Sequence, residues 1–256
     1  MLRTEALSIK FGGHVAVDQV SCEFVPGTLT AIVGPNGAGK TTYFNLISGQ
    51  LKASSGRVLL EGLDLTGLPA AARTARGLGR AFQLTNLFPQ LSVHENVRLA
   101  VQARTQTGVN WWSIWSSHGA LIDEADALIE QLGLLAKRDE KAASLPHGDQ
   151  RKLEVGILMA LKPKVFMFDE PTAGMSVEEV PVILDLIRQI RQDPSKTVLL
   201  VEHKMDVVRE LSDRIIVLHN GQLVADGEPN AVIASPIVQQ AYLGIELDAP
   251  VSQGSA

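Results

Sequence analysis

Nine consecutive residues, Gly34-Pro35-Asn36-Gly37-Ala38-Gly39-Lys40-Thr41-Thr42, fit the pattern G-x-x-x-x-G-K-[ST] without a gap. Glycines at these spacings let backbone N–H groups close around phosphate oxygens, and a helix starting there adds the positive end of its dipole. Lys40 would reach the outer phosphates, and the Thr41 hydroxyl would complete a magnesium shell. Far along the chain, Asp169 and Glu170 close a continuous apolar run, Val165-Phe166-Met167-Phe168. Asp169 is placed to hold the metal ion directly or through water, and Glu170 to orient or deprotonate an attacking water. A third apolar run, Thr197 to Val201, ends at Glu202-His203. A lone histidine at a strand end is by itself more often structural. The chemistry these residues allow is the binding of a nucleoside triphosphate and attack of water on its terminal phosphate.

Positioning these groups requires strands that end at them. Leu29-Thr30-Ala31-Ile32-Val33 reads as a strand buried on both faces, and Tyr43 to Ser48 as a helix stopping near Gly49. Residues 4 to 8 and 15 to 24 alternate apolar with polar, as half-exposed strands do, around the turn Phe11-Gly12-Gly13. Phe11 is either ordinary turn packing or a π-face on which adenine could stack. Residues 57 to 62 return as another strand. The pattern predicts an α/β fold in which antiparallel strands accompany a buried parallel sheet.

Between residues 85 and 160 the texture is helical, an insertion into a core made of 1–84 and 161–244. Ser92-Val93-His94-Glu95 is a capping box opening a helix to about Arg104. A second helix runs from about Ile122 to Leu132 and ends at Gly133. A third follows Gly148, with Leu153, Ile157, Leu158 and Leu161 at helical spacing. Residues 105 to 119 lose periodicity and hold Trp111, Trp112 and Trp115, every tryptophan of the chain. They form either a hydrophobic cap or a contact surface for a protein partner or lipid headgroups. Ser176 and Glu179 suggest a further capping box. Val180, Ile183, Leu184, Ile187 and Ile190 form the stripe of the next helix, whose first turn must start late or bend to admit Pro181. Asn220-Gly221 between two apolar runs is a hairpin signal. Residues 245–256 carry no pattern and are expected to fray.

Composition bounds the rest. The chain has 256 residues, is 45% apolar, and carries 23 basic against 28 acidic residues, a net charge of −5. It can bury a large core, and its charge argues against a nucleic-acid surface. One cysteine, Cys22, excludes an internal disulfide and any multi-cysteine metal site. No apolar run approaches a membrane span.

Taken in order, Phe11, the loop 34–42, Gln83, Leu145-Pro146-His147-Gly148-Asp149-Gln150, Asp169-Glu170, Ala173-Gly174-Met175-Ser176 and His203 resemble the ATP-binding subunit of an ABC transporter, over residues 2 to about 244. The resemblance implies a P-loop NTPase with a RecA-like parallel-sheet core, an antiparallel β subdomain and an inserted helical subdomain, using ATP and Mg²⁺. It implies that Phe11 stacks on adenine, that Gln83 senses magnesium and links the core to the helices, and that His203 contacts the γ-phosphate. Glu170, His203, Gln83 and Lys40 would then be the catalytic set, with Thr41, Gln83 and Asp169 about the metal. It further implies a head-to-tail dimer with a second ABC ATPase subunit, as a hetero- or a homodimer. Each ATP would lie between the loop of one subunit and the signature, here Pro146, His147, Gly148 and Asp149, of the other. Permease subunits in the membrane, and indirectly a substrate-binding protein, complete the implied assembly, placing this chain peripherally at the cytoplasmic face.

The signature departs from the usual Leu-Ser-Gly-Gly-Gln. Pro146 supplies neither the serine hydroxyl nor a backbone N–H, and loss of one charge-assisted hydrogen bond costs about 1.5–3 kcal/mol. Slower hydrolysis at the site it completes, and unequal sites in a heterodimer, are expected. Phe44-Asn45-Leu46-Ile47-Ser48-Gly49, Asn86-Leu87-Phe88-Pro89 and Glu170-Pro171-Thr172-Ala173-Gly174-Met175 look most like importers of branched-chain amino acids, with urea and short-chain amide importers in the same cluster. A soluble ABC ATPase would be expected to carry two ATPase halves or a long coiled-coil insertion. A small-molecule kinase would share the loop but not Gln83, the signature or His203.

Overall fold

In a computed structural model, which describes residues 1–81, 87–105 and 119–243, the alternating N-terminal runs become an antiparallel pair. β1 (Leu2–Phe11) turns at Gly12-Gly13 into β2 (His14–Phe24). β3 (Leu29–Val33), α1 (Lys40–Ser48), β4 (Ser55–Leu60), β5 (Leu63–Asp64), α2 (Ala70–Thr74) and β6 (Leu78–Ala81) follow. Three helices come next, α3 (Val93–Thr105), α4 (Gly119–Gln131) and α5 (His147–Leu161). The chain then runs through β7 (Val165–Asp169), α6 (Val180–Arg191), β8 (Thr197–Val201), α7 (Met205–Leu211), β9 (Arg214–His219), β10 (Gln222–Gly227), α8 (Pro229–Ile233) and α9 (Pro236–Leu243).

Two sheets result. The smaller has the order β2-β1-β4-β5 and is antiparallel. The larger has the order β10-β9-β3-β8-β7-β6, with five parallel strands and β10 antiparallel at one edge. β3, β7 and β8 are buried at every position, as their unbroken apolar runs require. Period-2 geometry sends their side chains to opposite layers. Phe166, Phe168, Val198 and Leu200 pack with α5 and α6, whereas Met167, Leu199 and Val201 pack with Tyr43, Phe44 and Ile47 of α1 and with the antiparallel sheet. Each such side chain contributes about 1.5–3 kcal/mol by leaving water. α1 therefore lies between two sheets, and the loop preceding it is fixed from both.

Several local expectations shift. α1 starts at Lys40, three residues before the apolar stretch that signalled it, because the phosphate loop itself forms the first turn. β4 covers Ser55–Leu60, since Glu61 and Gly62 take positive φ (52° and 82°) and turn the chain two residues before the expected end. Ser92 caps α3 as read, its hydroxyl accepting from Glu95 N–H at 3.1 Å. Glu179 does accept from Ser176 N–H at 3.1 Å, yet α6 begins only at Val180, so Pro181 falls in the first turn, where no N–H is needed. Asn220 and Gly221 take φ of 47° and 77° and form the expected hairpin between β9 and β10. β6 and the parallel pairing of β9 with β3 gave no sequence signal, the first because glycines flank and interrupt it.

α3, α4 and α5 pack together through Val97, Val101, Ala125, Ile129, Leu153 and Leu158. Arg104 at the end of α3 ties all three, donating to both Glu124 oxygens (2.9 and 2.6 Å) and to the Ala160 carbonyl (2.8 Å). No described helix is long and apolar enough to cross a membrane. Trp111, Trp112, Trp115, Gln83 and residues 245–256 lie outside the described residues.

Candidate functional site

The loop between β3 and α1 owes its shape to what it passes. Gly39 has φ 97°, and a Cβ there would sit 2.4 Å from the Ala16 carbonyl oxygen of β2. Only glycine lets the loop lie this close to the antiparallel sheet. The consequence is a cleft of about 410 Å³ lined by Phe11, His14, Asn36, Gly37, Ala38, Gly39, Lys40, Thr41, Thr42, Glu170 and His203. Phe11 stands at its mouth, 49% exposed, which leaves its ring face open to a planar partner.

Lys40 folds back over the loop, its ammonium donating to the carbonyls of Gly34 (2.7 Å) and Pro35 (2.9 Å). Gly34 and Pro35 thus act through their carbonyls rather than by lining the cleft. Burial pulls the Lys40 amine below its ordinary range, and Glu170 and Asp169 nearby oppose that fall. A buried cation among backbone dipoles, at the N-terminus of a helix, is an anion-binding arrangement.

Across the cleft, β7 ends in Asp169, which is 3% exposed. Its Oδ2 accepts from Arg80 Nη2 at 2.7 Å. Burial raises its carboxyl above the usual range, and Arg80 offsets only part of that. Its Oδ1 is buried with no hydrogen-bond partner among the described residues. That orphaned oxygen and the cleft-lining Thr41 hydroxyl form a donor set suited to magnesium, which takes most of its six ligands from phosphates and water. No cluster of three or more His, Cys, Asp or Glu able to hold a metal occurs among the described residues. Glu170, one residue on, takes φ 51°, a left-handed backbone that is uncommon for a residue with a side chain. Its Oε1 meets His203 Nε2 at 2.7 Å.

The predicted residues thus separate into two places. Phe11, 36–42, Glu170 and His203 share one cleft; Asp169 is buried beside Glu170, near enough to Lys40 for its charge to act on that amine. Pro146, His147, Gly148 and Asp149 lie away from it, at the start of α5. Pro146 is the residue before the first turn and offers no side-chain cap. Gly148 packs so tightly on Glu179 that a Cβ would meet the Glu179 Oε1 at 1.9 Å, and the His147 ring lies 3.5 Å from where a Gly174 Cβ would be. Asp149 is tied down by Lys137 and Lys152 (2.7 Å to the latter). Burial opposes its ionisation, but the two lysines prevail and hold its carboxyl below the usual range. Gln83, the remaining predicted residue, is outside the described residues.

Arg80 carried no role in the sequence reading. It is 9% exposed, stacks 5.1 Å from the Phe44 ring, and donates to Asn45, Ser48 and Gln50 behind the phosphate loop (2.5, 2.9 and 3.0 Å). A larger groove of about 760 Å³ lies elsewhere, beside Arg76, Lys162 and Lys164. Two of those cations are engaged by Glu124 and Glu61.

A cleft with a phosphate loop, a buried carboxylate beside it and a glutamate–histidine pair can hold a triphosphate and activate water against it. The sequence profile of the family described as ABC transporter matches residues 17–173. The chain belongs to the ABC transporter family. It is an ATPase subunit of this family, turning ATP and water into ADP and phosphate in the service of transport. It is 36% identical over 249 residues to the high-affinity branched-chain amino acid transport ATP-binding protein LivG of Escherichia coli strain K12, covering 95% of this chain and 98% of that one. To the corresponding protein BraF of Pseudomonas aeruginosa it is 33% identical over the same shares. Among solved structures, an ATP-binding cassette of an ABC transporter in its ADP conformation superposes with a TM-score of 0.80 at 30% identity, covering 96% of this chain and 99% of that one. The fold, P-loop core with mixed parallel and antiparallel sheets, is that of the family.

Proposed function

We propose that this subunit energises an importer of branched-chain amino acids, as one half of a head-to-tail ATPase pair docked on permease subunits at the inner face of a membrane. The observation that carries the hydrolytic reading is the 2.7 Å meeting of Glu170 and His203 at the edge of the phosphate-loop cleft. The names of LivG and BraF support the substrate class.

In this reading adenine stacks on Phe11 and the triphosphate lies along 34–42. Lys40 exchanges its loop carbonyls for phosphate oxygens. Glu170 accepts a proton from the attacking water, and His203 steadies both that carboxylate and the terminal phosphate. Thr41, Asp169 and Gln83 would hold Mg²⁺, which would supply charge neutralisation at the phosphates. The start of α5, with Pro146, His147, Gly148 and Asp149, faces the nucleotide of the partner subunit. Because Pro146 has no N–H to donate there, the site it completes hydrolyses more slowly, and a second, different ATPase subunit makes the pair unequal. The core 1–84 with 161–244 binds nucleotide, and the helical block 85–160 passes its movement to the permease.

The test is to purify the tagged chain with the membrane subunits that accompany it and assay ATP hydrolysis in proteoliposomes. Leucine, isoleucine or valine with a binding protein should stimulate it. Stimulation by urea or short amides alone would transfer the substrate to that class. Glu170→Gln should still bind ATP but turn it over at least about tenfold more slowly, as loss of a general base does. Turnover at the parent rate would remove Glu170 from the mechanism.

A further inference from the structure

Glu170 and His203 stand on separate segments, after β7 and after β8, and one residue touches both segments. Glu202 is 3% exposed. Its Oε1 accepts the hydroxyl of Thr172, two residues beyond Glu170 and itself 1% exposed. Its Oε2 accepts the backbone N–H of His203 at 2.8 Å and of Lys204 at 3.3 Å. All three donors are neutral. A carboxyl group in the interior is costly unless hydrogen-bonded, so its retention here points to the geometry it enforces.

That geometry includes strain. Glu170 sits at φ 51°, and such a conformation persists only where the surroundings over-determine it. Two backbone hydrogen bonds hold the turn, Glu170 N–H to Val201 O at 2.9 Å and Ala173 N–H to Glu170 O at 3.1 Å. The Thr172 hydroxyl on Glu202 is the third tie, and the only side-chain one given by the turn's own residues 171–173 among the described contacts. The same carboxylate fixes the first two amides after β8, and so the direction in which His203 leaves the strand.

We infer that Glu202 is a positioning residue of the hydrolytic site: its buried carboxylate clasps the Glu170 turn through Thr172 and the backbone of His203, and so sets the contact between Glu170 and His203. The inference rests on the reading that this pair acts on water and the γ-phosphate. The site needs a planar group of this reach that bonds Thr172 at one end and accepts both backbone amides at the other. Glutamine keeps that shape, with its amide turned toward the Thr172 oxygen, whereas alanine removes every tie.

The experiment uses the full chain with the subunits that accompany it, reading kcat and KM for ATP, ATP affinity by calorimetry, and Tm. Glu202→Ala should lower kcat at least about tenfold while KM and affinity stay within about twofold, and Glu202→Gln should stay within about threefold of the parent in kcat. Should Glu202→Ala fail to fold, Thr172→Val, which removes only the hydroxyl, should show the same split, and Thr172→Ser should restore the rate. Parent kcat in Thr172→Val and Glu202→Ala, with Glu170→Gln still slow, overturns the role of Glu202 alone. Glu170→Gln at the parent rate overturns the reading beneath it. A fall in Glu202→Gln equal to that in Glu202→Ala, or a matching loss of ATP affinity, overturns positioning in favour of charge or general damage.

Discussion

Replacing Arg80 by methionine tests the architecture behind the phosphates without reference to turnover. The Arg80–Asp169 pair is almost wholly out of water, with side chains 6% and 0% exposed, so solvent screening does not weaken it. Arg80→Met keeps the stem on Phe44 but strands a buried carboxylate whose other oxygen is already unpartnered, and frees Asn45, Ser48 and Gln50 of their shared donor. Removing one member of a buried pair costs about 3–5 kcal/mol. At about 2–4 °C per kcal/mol for a domain of this size, Tm should fall by roughly 6–20 °C. Urea unfolding of nucleotide-free protein in a metal chelator, with calorimetry alongside, measures it. In the double variant with Asp169→Asn the stranded charge disappears, so at least about 1.5 kcal/mol of the loss should be recovered, well beyond additive error. A loss below about 1 kcal/mol, or a cycle additive within about 0.5 kcal/mol, would refute the argument.

Three further outcomes follow from the geometry. Glu124, 26% exposed, is held down at about 2 by hydrogen bonds from Arg104 and Lys162. Its folded value lies below its ordinary one, so its contribution is present above about pH 4.5 and is lost as pH falls toward about 2; discounted for solvent, it is about 1 kcal/mol. The gap in unfolding free energy between the parent and Glu124→Gln should close over that range. Cys22, 5% exposed, is pushed up to about 11 chiefly by burial, so Ellman's reagent should react at least about 100-fold more slowly with native than with unfolded chain. Gly39→Ala should lower stability by about 1–3 kcal/mol and abolish ATP binding by calorimetry, because of the positive φ and the contact with Ala16; unchanged binding would show that the loop can part from β2.

The central machinery was legible because each part combines a residue type with a periodic context. A fully apolar four-residue run ending in Asp169-Glu170 admits few readings, and so does a glycine loop between strand and helix. Glu202 and Arg80 were not legible as ties, since a charged residue at a strand end reads as solvent-facing until its long-range partners are known. Arg80 reaches Asn45 and Asp169, 35 and 89 positions away, and no local pattern records that. β6 escaped for a related reason: its pairing with β7 is dictated by the sheet, while Gly77 and Gly79 argue against a strand locally. The late start of α6 was half-visible, through Pro181.

The close seat of Gly148 on Glu179, and of His147 on Gly174, bears on timing. The stretch after Glu170 lies against the first turn of α5, with no room for a side chain where Gly148 meets Glu179. In the proposed head-to-tail pair, the surface this subunit would offer its neighbour's nucleotide is thus seated on the stretch that follows its own Glu170. A change in one pocket would then reach the other through contact, within a single chain and without a relay across the interface.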